Sequence, residues 1–119
     1  MERSGNKMVS PQAERTSCKV ANRKIVVAFD VDGTLIRLGD DAPKYENIAL
    51  LKQFSRLGCQ IVVASDGGQE YAARWVLNLG LQNDVTAIIE KGKESFAAYG
   101  VDIHFDDTVT DLAEIDIQV

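Results

Sequence analysis

Two aspartates, Asp30 and Asp32, close the apolar run Ile25-Val26-Val27-Ala28-Phe29 and stand two residues apart. A short unbroken run of apolar, largely β-branched residues predicts a buried strand. Carboxylates spaced i, i+2 at the end of a strand point to the same side, and Gly33 lets the chain turn away. Two like charges held together away from water are costly unless they share a proton or a cation. Mg²⁺ with a phosphoryl group is the natural partner for such a pair.

The elements that would position these acids alternate in type. The first strand is expected over 24–30, followed by a loop from Gly33 to Pro43 with a small hairpin around Leu35–Leu38. A helix starts near Pro43, which suits a first helical turn, and ends before Gly58, with Leu50, Phe54 and Leu57 facing inward. A second strand is expected over 60–65. A helix over 69–79 follows, burying Ala72, Trp75, Val76 and Leu79, with Gly80 as its C-terminal cap. A third strand over 86–90, a short helix over 93–99 closed by Gly100, and a fourth strand over 101–106 come next. Residues 114–119 alternate in polarity and predict a fifth, edge-like strand. Such β-α-β alternation implies a parallel sheet with helices on both faces, hence an α/β fold. Sites in these sheets lie beyond the carboxyl ends of the strands. Asp30 and Asp32, Ser65, Lys91 or Lys93, and Asp106 with Asp107 all fall at such ends or just after them. Four separate pieces of chain would therefore meet in one crevice.

Asp30-Val31-Asp32-Gly33-Thr34-Leu35 resembles the first motif of the haloacid dehalogenase (HAD) superfamily of phosphotransferases. Ile61-Val62-Val63-Ala64-Ser65 resembles the second, an apolar strand ending in a hydroxyl. Lys91 or Lys93 falls where the third motif has its lysine, with Lys93 favoured because it opens a short helix after Gly92. Val101-Asp102-Ile103-His104-Phe105-Asp106-Asp107, followed by Asp111, resembles the fourth. The ordered set spans about residues 24–119. It implies a three-layer α/β/α sandwich with a Rossmann-like, HAD-like sheet in the strand order 5-4-1-2-3. Ten residues separate Thr34 from Tyr45, and 25 separate Ser65 from Lys91, so neither gap holds a cap domain. Small capless members also carry a segment similar to Ser65-Asp66-Gly67-Gly68-Gln69-Glu70-Tyr71-Ala72.

The resemblance implies hydrolysis of a phosphate monoester through an aspartyl-phosphate on Asp30. Asp32 would be the general acid and then the base, and its backbone carbonyl a ligand of the metal. Ser65 and the backbone N–H groups near Asp66-Gly67-Gly68 would hold phosphoryl oxygens. The site lysine would hold the phosphoryl charge and orient Asp30. Asp106 and Asp107 would complete the Mg²⁺ site, with Asp111 supporting them from the next turn. His104 is not needed by this chemistry and is expected to be packed. Trp75 and Tyr71 read as core and rim. An uncapped site suits a large phosphorylated substrate that covers it, or an oligomer whose neighbour does so.

At 119 residues the chain is long enough for one core. Residues 1–23 read as a polar, basic tail in which Arg3, Lys7, Arg15, Lys19 and Arg23 outweigh Glu2 and Glu14, and 24–119 as the catalytic domain. The net charge of −5 leaves that domain strongly acidic, which is not the footprint of a nucleic-acid binder, although the basic tail could touch an anionic partner. No stretch has the length of a membrane span, and no apolar signal core opens the chain, so a cytoplasmic location is expected. Cys18 and Cys59 form no metal or disulfide pattern, and Cys59 reads as a small buried apolar residue. A response-regulator receiver would place its acidic pair first and its phosphorylated aspartate on the third strand, whereas here Asp-x-Asp-Gly-Thr comes first and Asp-Asp last. A non-catalytic phospho-ligand module and a phosphotransferase to an acceptor other than water remain as alternatives.

Overall fold

The structure is a computed structural model and describes residues 18–20 and 22–119. Residues 1–17, which hold most of the expected tail, lie outside the described residues. The described residues include part of the chain before the expected boundary at residue 24. Strands β1 (Lys19–Val20) and β2 (Arg23–Lys24) pair antiparallel, around Asn22 at a φ of 69°. Arg23 grips Asp102 with both guanidinium nitrogens, at 2.9 and 2.6 Å. Cys18 is bonded to Cys59, with their Cα atoms 5.4 Å apart. The expectation that the two cysteines form no disulfide is thereby corrected. The hairpin brings Cys18 back to the start of the second sheet strand, a proximity that a spacing of 41 residues does not reveal.

The buried strand β3 (Val26–Phe29) lies at the centre of a five-stranded sheet. Its neighbours are β4 (Gln60–Val63) and β6 (Ile103–Asp106), and β5 (Ala87–Ile88) and β7 (Ile115–Gln118) form the edges. The spatial order is β5-β4-β3-β6-β7, and all four pairings are parallel. The helices are α1 (Tyr45–Arg56), α2 (Gln69–Asn78) and α3 (Lys93–Tyr99).

Alternation along the central strands divides the core in two. Val27, Phe29, Ile61 and Val63 face α1 and α2, meeting Ile48, Leu51, Ala72 and Val76. Val26, Ala28 and Val62 face the other way, towards Phe96 of α3. Parallel strands covered on both faces need apolar residues at every position, which is why these runs are unbroken. Of the residues expected to face inward from α1, Leu50 and Phe54 pack against this core, and Leu57, just past the end of the helix, does not. Asn47, Ile48 and Leu51 are buried, Leu50 and Phe54 are half-buried, and Leu57 is 53 % exposed. Asn47 turns inward because its Nδ2 donates to the carbonyl of Thr34 at 2.8 Å, tying α1 to the loop after β3. Gly80 and Gly100 follow their helices at φ values of 70° and 81°, the left-handed setting that glycine adopts without a Cβ clash. Among the described residues no helix is long and apolar enough to cross a membrane.

Candidate active site

Asp30 follows β3 directly, and its N–H donates to the carbonyl of Phe105 on β6 at 3.0 Å. Asp106 ends β6 and Asp107 comes next. Parallel pairing of β3 with β6 therefore sets these acids side by side at the carboxyl edge. One carboxylate oxygen from each of Asp30, Asp106 and Asp107 lies within 4.8 Å of the other two. The turn after Asp30 leaves room for this approach. Gly33 has a φ of 82°, and a Cβ there would lie 2.1 Å from Oδ2 of Asp107. A side chain at position 33 would thus occupy the space that Asp107 uses.

Lys91 reaches the same cluster from the turn beyond β5. Its Nζ lies 3.1 Å from Asp30 Oδ1, 2.6 Å from Asp106 Oδ2 and 3.3 Å from Asp66 Oδ2, and its side chain is 8 % exposed. The expectation favouring Lys93 is corrected. Lys93 opens α3 on the outside, is 69 % exposed and pairs with Asp111 at 3.2 Å. Asp111 is 84 % exposed and does not support the acids from the next turn. A lysine two residues before the helix points inward, whereas the first helical residue is carried round to the surface.

The charges in this cluster do not balance. Three carboxylates face one ammonium. Burial and the neighbouring Asp106 push Asp30 up to about 7, against the pull of Lys91. Burial and Asp106 also hold Asp107 above the ordinary carboxylate range. Burial acts the same way on Asp106, but Lys91 and Thr108 outweigh it and keep its carboxyl low. The Lys91 ammonium loses solvent too, yet its contacts with Asp106 and Asp30 hold it above the ordinary lysine value. With all three carboxylates ionised, Lys91 would leave a net double negative charge among oxygens close enough to share one ion. These three carboxylates could hold a metal ion, and their hard oxygens suit a hard cation.

The remaining expected residues surround this cluster. Ser65 follows β4 and is buried, and its Oγ accepts the N–H of Gly67 at 3.0 Å. It does not cap α2, whose N-cap is Gly68. Asp32 is not among the three clustered carboxylates. Its Oδ1 accepts the hydroxyl of Tyr71 at 2.7 Å, which holds that phenol above its ordinary value. Sequence reasoning had put Tyr71 at the rim, since a tyrosine on a helix carries no mark of a polar partner 39 residues away. Thr34, part of the Asp-x-Asp-Gly-Thr motif, is buried and its hydroxyl donates to Asp30 Oδ2 at 3.3 Å. Thr108 donates both its N–H and its hydroxyl to Asp106 Oδ1, each at 3.0 Å. The Asp-x-Thr spacing of such a side-chain turn could have found it.

His104 is fully buried beneath the site. Its Nδ1 lies 2.9 Å from Asp116 Oδ1 on β7 and 3.1 Å from Thr110 Oγ1, and its Nε2 lies 3.3 Å from Asp106 Oδ2. The ring of Phe96 meets it edge-on, with centroids 4.9 Å apart. A cavity of about 540 Å³ runs between α3 and the segment after β6, with Phe96, Val101 and Leu112 in its wall. None of Asp30, Asp32, Asp106 and Asp107 lines it. No protein-family model, curated protein or solved structure matches this chain.

Proposed function

We propose that this chain is a Mg²⁺-dependent phosphate-monoester hydrolase of the haloacid dehalogenase type, without a cap domain, working through an aspartyl-phosphate on Asp30. The observation that carries this reading is the gathering of Asp30, Asp106 and Asp107 within 4.8 Å around a buried Lys91 at the carboxyl edge of a parallel sheet. The strand order supports it as well. Counted along the chain, the sheet strands lie 5-4-1-2-3 in space, as that family resemblance implies.

Asp30, Asp106 and Asp107 would hold the cation, with the backbone carbonyl of Asp32. The ion would offset the charge that the carboxylates and a phosphoryl group bring together. The chain's own groups then divide the work. A carboxylate oxygen of Asp30 forms a bond to phosphorus as the bond from phosphorus to the leaving oxygen breaks. Asp32 gives its proton to that leaving oxygen. It next takes a proton from the water whose oxygen attacks phosphorus, which releases inorganic phosphate and restores the Asp30 carboxylate. Lys91 holds both Asp30 and the negative charge of the transferring group. The Ser65 hydroxyl hydrogen supplies a further donor.

Only loop connects Thr34 to α1, and only α2 and β5 separate Ser65 from Lys91. Among the described residues no inserted domain stands over the acids, so the substrate class is one that can cover an open site, such as a phosphorylated macromolecule. The test is a panel of phosphate monoesters assayed with Mg²⁺. Turnover is expected that EDTA abolishes and Lys91→Gln lowers at least about a hundredfold, while Lys93→Gln stays near wild type. Absence of turnover across the panel by folded, Mg²⁺-supplied protein would refute the reading.

A further inference from the structure

We infer that Tyr71 is a positioning residue for the general acid, pinning Asp32 through its Oδ1 so that Oδ2 is the oxygen that carries and delivers the proton. The inference rests on the hydrolase reading given above and adds to it a residue outside the acids, the hydroxyl and the lysine. Asp32 stands apart from the carboxylates that share Lys91, so neither that ammonium nor a cation held by those carboxylates fixes its side chain. The Tyr71 hydroxyl, reaching across from α2, does so at 2.7 Å. An aspartyl side chain free to rotate about χ2 presents either oxygen at random. A phenol that donates to Oδ1 makes that oxygen the acceptor in both protonation states and leaves the acidic proton to Oδ2.

The placement of the ring is built into the fold. Tyr71 sits in the first turn of α2, half-buried. Its ring packs on the backbone of Gly67, where a Cβ would lie 2.7 Å from Cδ2 of the tyrosine. The same turn presents its Gly67 N–H to Ser65. One short segment thereby couples the expected phosphoryl-binding turn to the expected proton donor. A catalytic group held within about half an ångström of its working geometry transfers a proton far more effectively than a loose one.

Tyr71→Phe removes one oxygen and keeps the ring that fills the space above Gly67, so the fold is retained. The readout is kcat/KM, which covers the steps through departure of the leaving group, for two esters of opposite demand. An alkyl phosphate leaves as a strongly basic alkoxide and needs the proton, whereas 4-nitrophenyl phosphate leaves as a stabilised phenolate and does not. Tyr71→Phe is expected to lower kcat/KM for the alkyl ester about tenfold and to leave the aryl ester within about twofold. Asp32→Asn should show the same selectivity more strongly. Equal losses on both esters would assign Tyr71 a merely structural role, and no loss on either would leave it without a role in proton delivery. Both outcomes overturn this inference while wild-type turnover keeps the hydrolase reading intact. Failure of the wild type on both esters would overturn that reading and this inference together.

Discussion

Asp30 is the residue at which structure and chemistry conflict most openly. Burial and Asp106 raise its carboxyl from the ordinary 3.8 to about 7, so the ionised form that a nucleophile needs is unfavourable in the cation-free fold. A raised carboxyl contributes stability that is fully present below its unfolded value and is lost as pH rises through the folded one. Without metal, stability is therefore expected to fall between about pH 4 and 7. Asp30→Asn should flatten that fall and raise the melting temperature at pH 8, measured in chelator, while removing turnover. Stability gained on losing the proposed nucleophile would mark a site held for function. Much at this scale was legible in the sequence. Asp30 with Asp32 follows an apolar run, Asp106 with Asp107 follows the alternating Val101–Phe105, and an acidic pair at the end of a strand is conspicuous. The choice between Lys91 and Lys93 was not legible, because two residues across a helix start reverse the direction of a side chain. Nor was the bond from Tyr71 to Asp32, which depends on how α2 is turned.

At the scale of elements, the alternation of strand and helix was readable because each carries its own period. Apolar runs of four or five residues marked β3 and β4, apolar residues at alternate positions marked β6, and glycines marked the helix ends. The inward face of α1 was readable at Leu50 and Phe54, which pack against the core, but not at Leu57, which ends the helix exposed. Nor was Asn47 readable, which turns inward to satisfy the carbonyl of Thr34. A polar group buried with a good partner escapes a count of apolar residues. The loop after β3 is therefore held from several sides. Lys44 donates to the carbonyl of Gly33 at 2.9 Å, and Gly33 keeps open the space beside Asp107. Gly33→Ala places a Cβ against Asp107 and forces a non-glycine residue to a φ of 82°. A loss of about 1–3 kcal/mol in unfolding free energy is expected from the backbone alone. Displacement of Asp107 should also weaken Mg²⁺ binding measured by calorimetry, and a variant as stable and as tight-binding as wild type would contradict this role.

For the whole molecule, the sheet separates its two ends by task. The acids and Lys91 occupy the carboxyl edge, while the bond between Cys18 and Cys59 closes the amino edge, beside the first residue of β4. A link spanning 41 residues restricts the unfolded chain, which corresponds to about 4 kcal/mol in the chain-entropy account. Reduction, or Cys59→Ser, is expected to lower the melting temperature markedly and to leave kcat/KM near wild type, since no site residue touches that edge. Loss of turnover in a reduced, still folded protein would show that the two ends are coupled. A reducing compartment, the location expected from the sequence, would open the same bond. Sequence alone could not pair these cysteines, because the pairing depends on a hairpin of two-residue strands with no hydrophobic period. The central claim concerns a covalent bond and is tested by looking for it. Asp32→Asn protein, lacking the base that activates water, is incubated with Mg²⁺ and a reactive aryl phosphate, quenched in acid and digested. The account predicts one added phosphoryl group on the peptide containing Asp30, absent when Asp30→Asn is combined with Asp32→Asn. Product release by the wild type with no phosphoryl group on Asp30, or with one on another residue, would contradict it.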